Sequence, residues 1–74
     1  MTRLPTFSAR QVIQALLKAG FVVRVQHGSH VQLLHPVNKR RTTVPNHSGD
    51  LHRGLLKAIL RQAGLSEDQF RELL

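Results

Sequence analysis

The chain has 74 residues, a net charge of +7 with neutral histidines, and no cysteine. This length allows a single domain over residues 1–74, which buries only about 60% of the surface that the unfolded chain exposes. Because cysteine is absent, neither a disulfide nor a thiolate zinc site can reinforce that small core. The positive charge favours a polyanionic partner such as nucleic acid, with binding that weakens as the salt concentration rises.

The start of the sequence predicts neither secretion nor membrane insertion. Residues 1–5 lack an apolar signal core, and no long uncharged apolar run follows them. We therefore expect a cytoplasmic location and no membrane partner.

The first predicted element is an amphipathic helix. Ser8 is expected to cap it, and Gln11 completes the capping-box pattern. Apolar residues then recur at spacings of three and four, which gives one apolar stripe. The helix is expected to run to about Lys18 or Ala19. Gly20 is expected to provide the C-terminal turn.

Two predicted strands follow, joined by a tight turn. In the first, over residues 21–25, alternation places Phe21, Val23 and Val25 on one face and Arg24 on the other. In the second, over residues 29–35, alternation separates two sets of side chains. Val31 and Leu33 share one face, whereas His30, Gln32 and Leu34 share the opposite, more polar face. Gly28 is expected to supply the unusual backbone angle of the turn, with Ser29 and His30 opening the second strand.

A third strand and two helices complete the predicted order. Residues 40–44 are rich in β-branched side chains and are stopped by Pro45. A polar loop over 46–50 follows, with Asp50 as a loop residue or helix cap, and helical spacing then runs from Leu51 to Gly64. Ser66 caps a short last helix. The sequence thus predicts an α+β fold in which two main helices cover one face of a three-stranded antiparallel sheet.

His30 is the candidate for proton transfer, because an imidazole normally titrates near neutral pH. The alternative is a histidine that opens a strand for packing or turn geometry. Basic residues around the strands are candidates for holding phosphates: Arg24, Lys39, Arg40 and Arg41. Lys57 and Arg61, with Arg53, form a stripe on the second helix. That stripe is either a phosphate-tracking surface or an ordinary solvated face.

Other chemistries fit the sequence less well. A seryl intermediate would need a Ser-His-Asp arrangement, and Asp50 is the only acidic residue before position 67. Metal-dependent nucleases need several converging carboxylates, and the histidines lack the helical ligand spacing of a zinc site. We therefore predict no metal and no cofactor. The second proton-transfer group stays open among His27, His35 and His47.

The sequence resembles the HicA toxins of bacterial and archaeal toxin-antitoxin pairs. The resemblance rests on Lys-Ala-Gly-Phe at 18–21, His-Gly-Ser-His at 27–30, Arg-Thr-Thr-Val-Pro at 41–45 with His47 beyond it, and residues 54–66. It implies a fold similar to a double-stranded-RNA-binding domain, ribosome-independent mRNA cleavage, and inhibition by a HicB-type antitoxin that covers the active surface. The family's active histidine, in its Gly-Ser-His motif, falls on His30.

Two hypotheses follow. In the first, the protein is a metal-independent endoribonuclease toxin, an mRNA interferase, that uses His30 as general acid or base. In the second, it is a non-catalytic basic RNA-binding module or adaptor. The candidate substrate-binding residues are Gly28, Ser29, Arg24, Lys39, Arg40, Arg41, Lys57 and Arg61. An acidic antitoxin is expected on the open sheet face, and the segment 67–74 serves either packing or a partner.

Overall fold

The computed structural model describes residues 5–74. The expectation of no signal segment depends mainly on residues 1–4, which lie outside that range. Within the described part of the chain, no helix has both the length and the apolar character needed to cross a membrane.

Residues 5–74 form an α+β fold, with three helices and a three-stranded antiparallel sheet in the order β2-β3-β4. A second, two-stranded pairing joins β1 to β5. The elements in chain order are β1 (Phe7–Ser8), α1 (Ala9–Lys18), β2 (Val22–His27), β3 (His30–Leu34), β4 (Arg41–Pro45), β5 (Asp50–Leu51), α2 (Arg53–Ala63) and α3 (Glu67–Leu73). The predicted helix, three strands, helix and short last helix are therefore confirmed.

Helix α1 begins at the predicted capping box. The Ser8 hydroxyl accepts a hydrogen bond from the Gln11 amide at 3.2 Å, and the Gln11 side chain accepts one from the Ser8 amide at 2.9 Å. The helix ends in paired hydrogen bonds from the Gly20 amide to the Leu17 carbonyl and from the Phe21 amide to the Leu16 carbonyl. This pattern satisfies carbonyls that a helix end otherwise leaves unpaired.

The two main helices cover one face of the sheet. Val31 and Leu33 of β3, with Thr42 and Val44 of β4, are buried on that face. The opposite face carries the partly exposed Gln32 and the exposed His30. The alternation predicted for β3 is thus confirmed, and we call the side that bears His30 the open face.

The face predicted for β2 is wrong in one respect. Val23 pairs with Leu33 but Val25 pairs with Gln32, so a β-bulge inserts Arg24 as an extra residue. Since directly opposite residues share a face, Val23 lies on the helix side and Val25 on the open face. Phe21 is buried just before the strand. The helices do not fully cover this edge strand, and Val23 stays 47% exposed.

Three local predictions also need correction. Asp50 belongs to β5 and accepts a hydrogen bond from the Thr6 hydroxyl at 2.8 Å, so it is neither a loop residue nor a helix cap. Helix α2 begins at Arg53 and not at Leu51, which belongs to β5; its cap is His52, whose Nδ1 accepts from the Leu55 amide at 3.1 Å. Pro45 is the last residue of β4 and does not lie beyond the strand. An edge strand tolerates proline because no further strand needs the N–H that proline lacks.

Helix α3 packs as part of the same core. Phe70 is fully buried, and its ring meets the Phe7 ring edge to face at 5.1 Å. Ser66 and Gln69 form the second predicted capping box. The open question about the C-terminal segment is therefore answered in favour of packing for Phe70.

Candidate functional site

The β2–β3 turn is a two-residue connection that places His30 at the start of a strand. His27 pairs with His30, which leaves Gly28 and Ser29 as the turn. Ser29 therefore lies in the turn. The prediction that Ser29 opens the second strand is wrong, because β3 begins at His30. Gly28 has φ +57°, and a Cβ built there would meet nothing within 4 Å. The site needs glycine for its backbone conformation and not for space.

The end of β4 is held against this turn. His30 pairs with Pro45, and the Asn46 amide donates to the Ser29 carbonyl at 2.5 Å. The chain that leaves β4 therefore passes directly beside the turn. This arrangement places His47 next to His30, the candidate for proton transfer.

His30 and His47 form a ring pair at this end of the sheet. Their ring centroids are 6.4 Å apart and their planes cross at 81°. Both residues are exposed, so a ligand can reach both imidazoles from solvent. His27, directly across from His30 in the ladder, is a third exposed histidine at the same end of the sheet.

The other two histidines have structural contacts away from this pair. The His35 ring packs on Phe21 at 5.1 Å, and its Nδ1 lies 3.2 Å and 3.3 Å from the amides of Val37 and Asn38. His52 caps α2. The sequence left three histidines open as the second proton-transfer group. In one of them, His35, Nδ1 already accepts backbone hydrogen bonds.

An open cleft of about 370 Å³ contains two of the predicted phosphate-binding residues. Its lining residues are Arg24, Gln32, Leu33, Arg41, Thr42, Thr43 and Gln62. Gln32 and Thr43 are paired across β3 and β4, and Gln32 follows His30 by two positions on the same face. The residues described at this cleft include two guanidinium groups and no carboxylate. The cleft is suited to an anionic, hydrogen-bonding ligand.

Arg24 and Arg41 lie at different distances from His30 along the sheet. The bulge places Arg24 between Val23 and Val25, which pair with Leu33 and Gln32. Arg41 pairs with Leu34. At about 3.3 Å per residue, the His30 and Arg41 levels are about 13 Å apart. The cleft therefore extends away from the histidine pair along the strands.

The remaining basic candidates lie elsewhere. Arg40 lies against the end of α2, where a Cβ on Gly64 would come within 2.6 Å of its Nε. Lys39 is in the turn before β4, with φ +65°. Lys57 and Arg61 line a separate groove at the α2–α3 corner, together with Glu67. The structure does not bring these four residues to His30.

The sheet is free of negative side chains. Strands β2, β3 and β4 contain no Asp or Glu, and three of the four acidic residues of the chain lie in α3. One of them, Asp68, pairs with Arg71 at 3.1 Å. In residues 5–74, no group of three or more His, Asp or Glu side chains is placed to hold a metal ion.

Sequence reasoning named His47 but gave no geometric reason to prefer it. The signal was present in part, because β4 ends at Pro45 and has the same length as β3. If those strands pair antiparallel and in register, the residues just after Pro45 must lie beside the β2–β3 turn. The bulge at Arg24 had no comparable signal.

A comparison with protein families matches most of the chain. The model described as the HicA toxin of bacterial toxin-antitoxin systems matches residues 9–65. The matched region runs from the start of α1 through α2 and leaves out α3. A comparison with curated proteins finds no match.

Proposed function

Since the chain belongs to the HicA toxin family of bacterial toxin-antitoxin systems, we propose that it is an mRNA-cleaving endoribonuclease in which His30 transfers a proton. The reaction needs no metal or other cofactor. The protein acts in the cytoplasm, where mRNA is available, and a HicB-type antitoxin inhibits it.

The observation that carries this proposal is the display of His30. His30 opens β3 and is paired on both sides, with His27 of β2 and with Pro45 of β4. Its side chain is exposed. A positioned imidazole that solvent can reach is suited to take a proton from, or give one to, a bound RNA. Such a group typically contributes about 10²–10⁴-fold to a rate.

Substrate binding in this proposal depends on the carboxylate-free sheet. Arg24 and Arg41 hold backbone phosphates in the cleft, and Gln32 and Thr43 supply hydrogen bonds. Gly28 and Ser29 shape the turn beside the scissile phosphate. The more distant Lys39, Arg40, Lys57 and Arg61 contribute through the overall positive field and steer RNA towards the protein.

We expect His30→Ala to lower the rate of RNA cleavage by about 10²–10⁴-fold, because the variant loses one proton transfer. The measurement is cleavage of an unstructured RNA by purified protein in the presence of a chelator. Affinity for the RNA should change little, because the variant keeps both arginines of the cleft.

Two results would count against this proposal. If His30→Ala cuts as fast as the wild-type protein, His30 is not the proton-transfer group. If the wild-type protein binds RNA in a salt-sensitive way and yields no products after long incubation, the protein is a non-catalytic RNA-binding module.

Replacing an arginine of the cleft should weaken RNA binding and its dependence on salt. We expect Arg24→Ala and Arg41→Ala each to reduce the slope of log K against log salt by about 1, as the loss of one phosphate contact predicts. Arg10→Ala is the matched control, since it removes the same charge from an exposed position on α1. Equal slopes in all three variants would assign the arginines only a general electrostatic role.

The antitoxin in this proposal covers the open face. That face carries the histidine pair and lies next to Arg24, and it lacks acidic residues of its own. An acidic partner surface is therefore complementary to it, and the resulting contact shields the site from RNA.

This arrangement predicts protection of His30 in the complex. The protein is coexpressed and copurified with the proposed HicB-type antitoxin and treated with diethyl pyrocarbonate, and modified histidines are located by mass spectrometry. We expect His30 to react in the free protein and to be protected in the complex, while His52 at the start of α2 reacts in both. A stable complex in which His30 reacts at its free rate would contradict the arrangement.

A further inference from the structure

Histidine is unusually frequent in this small chain, with five residues, and the structure divides them into two groups. His35 and His52 accept backbone hydrogen bonds and have structural roles. His27, His30 and His47 are exposed near the β2–β3 turn. Within that second group, His30 and His47 are in ring contact.

Backbone pairing brings the two histidines to the same end of the sheet. His30 is fixed by its two ladder partners, and His47 follows Asn46, whose amide donates to Ser29. The pairing of β3 with β4 thus places the backbone that leads into His47 beside the turn next to His30. Proximity of this kind is what two groups acting on one substrate require.

We propose that His47 is the second proton-transfer group of the site and works with His30 as an acid–base pair. The inference rests on the proposed function, RNA cleavage, and completes its proton balance. One imidazole accepts the proton of the ribose 2′-hydroxyl while the 2′-oxygen forms a bond to phosphorus. The bond from phosphorus to the 5′-oxygen breaks, and the other imidazole, in its protonated form, gives its proton to that oxygen. The products are a 2′,3′-cyclic phosphate and a free 5′-hydroxyl.

The spacing of the rings suits this division of labour. In an in-line displacement the entering and leaving oxygens lie on opposite sides of phosphorus. Each proton-transfer group must come within about 2.6–3.2 Å of its own oxygen, so the two groups cannot be in direct hydrogen-bond contact with each other. Centroids 6.4 Å apart, with both rings open to solvent, leave a phosphate room to approach both imidazoles.

His27 provides the matched control. It is the same residue type, is exposed, and is directly opposite His30 in the ladder. In residues 5–74, however, the ring contact of His30 is with His47 and not with His27. A role that depended only on positive charge near the turn would be shared by His27, whereas paired proton transfer would not.

The test uses two RNA substrates and three variants of the full chain. On ordinary RNA we expect His30→Ala and His47→Ala each to cut about 10²–10⁴-fold more slowly than wild type, and His27→Ala to cut within a few-fold of wild type. The second substrate carries sulfur in place of the leaving 5′-oxygen. Because a thiolate leaves without being protonated, the variant that lacks the acid should recover most of its rate on this substrate, and the variant that lacks the base should not.

The outcomes separate the two proposals. If the wild-type protein cuts neither substrate, RNA cleavage itself is wrong and the pair falls with it. If the wild-type protein cuts and His47→Ala matches His27→Ala on ordinary RNA, only the assignment of His47 is overturned. Loss of activity without recovery of either variant on the sulfur substrate would also overturn it. RNA affinity, measured for each variant, should stay at the wild-type value and shows that the site has remained folded.

Discussion

The site depends on the antiparallel pairing of β3 with β4 and on the hydrogen bond that extends it, from the Asn46 amide to the Ser29 carbonyl. This pairing joins two segments that are separate in sequence, the turn that presents His30 and the loop that carries His47. A small domain with no disulfide has few other means of fixing exposed side chains. Backbone hydrogen bonds satisfy groups that must be paired anyway, so the geometry comes at no cost to the core.

Packing and function are separated between the two sides of the sheet. Val31, Leu33, Thr42 and Val44 point to the helices and are buried, and they allow the alternate positions to be polar. With the acidic residues confined to β5 and α3, the sheet presents arginine, glutamine, threonine and histidine to a polyanion. One side of the sheet can therefore carry polar and basic residues without weakening the core on the other. Helix α3, outside the region matched by the family model, adds Phe70 to that core.

Features that depend on nearby residues were predictable from the sequence. The capping boxes at Ser8 and Ser66, the glycine turn and the burial of Val31 and Leu33 follow from local patterns. The bulge at Arg24 was not predictable from the sequence, because both strands together determine whether a residue is inserted into the ladder. The β1–β5 pairing and the Thr6–Asp50 hydrogen bond join residues 6–8 to residues 50–51, which are too far apart in sequence for a local pattern to connect them. For the site, the sequence singled out His30, while the contact with His47 needed the register of β3 on β4.

The proposed acid–base pair requires the two imidazoles to be neighbours in the free protein, and nuclear magnetic resonance tests this most directly. The measurement is the nuclear Overhauser effect between ring protons of His30 and His47. His30, which opens β3, and His35, which directly follows its last residue, serve as the comparison pair. We expect a cross-peak for His30 with His47 and none for His30 with His35. Absence of the first cross-peak in the folded protein, with both rings assigned, would contradict it.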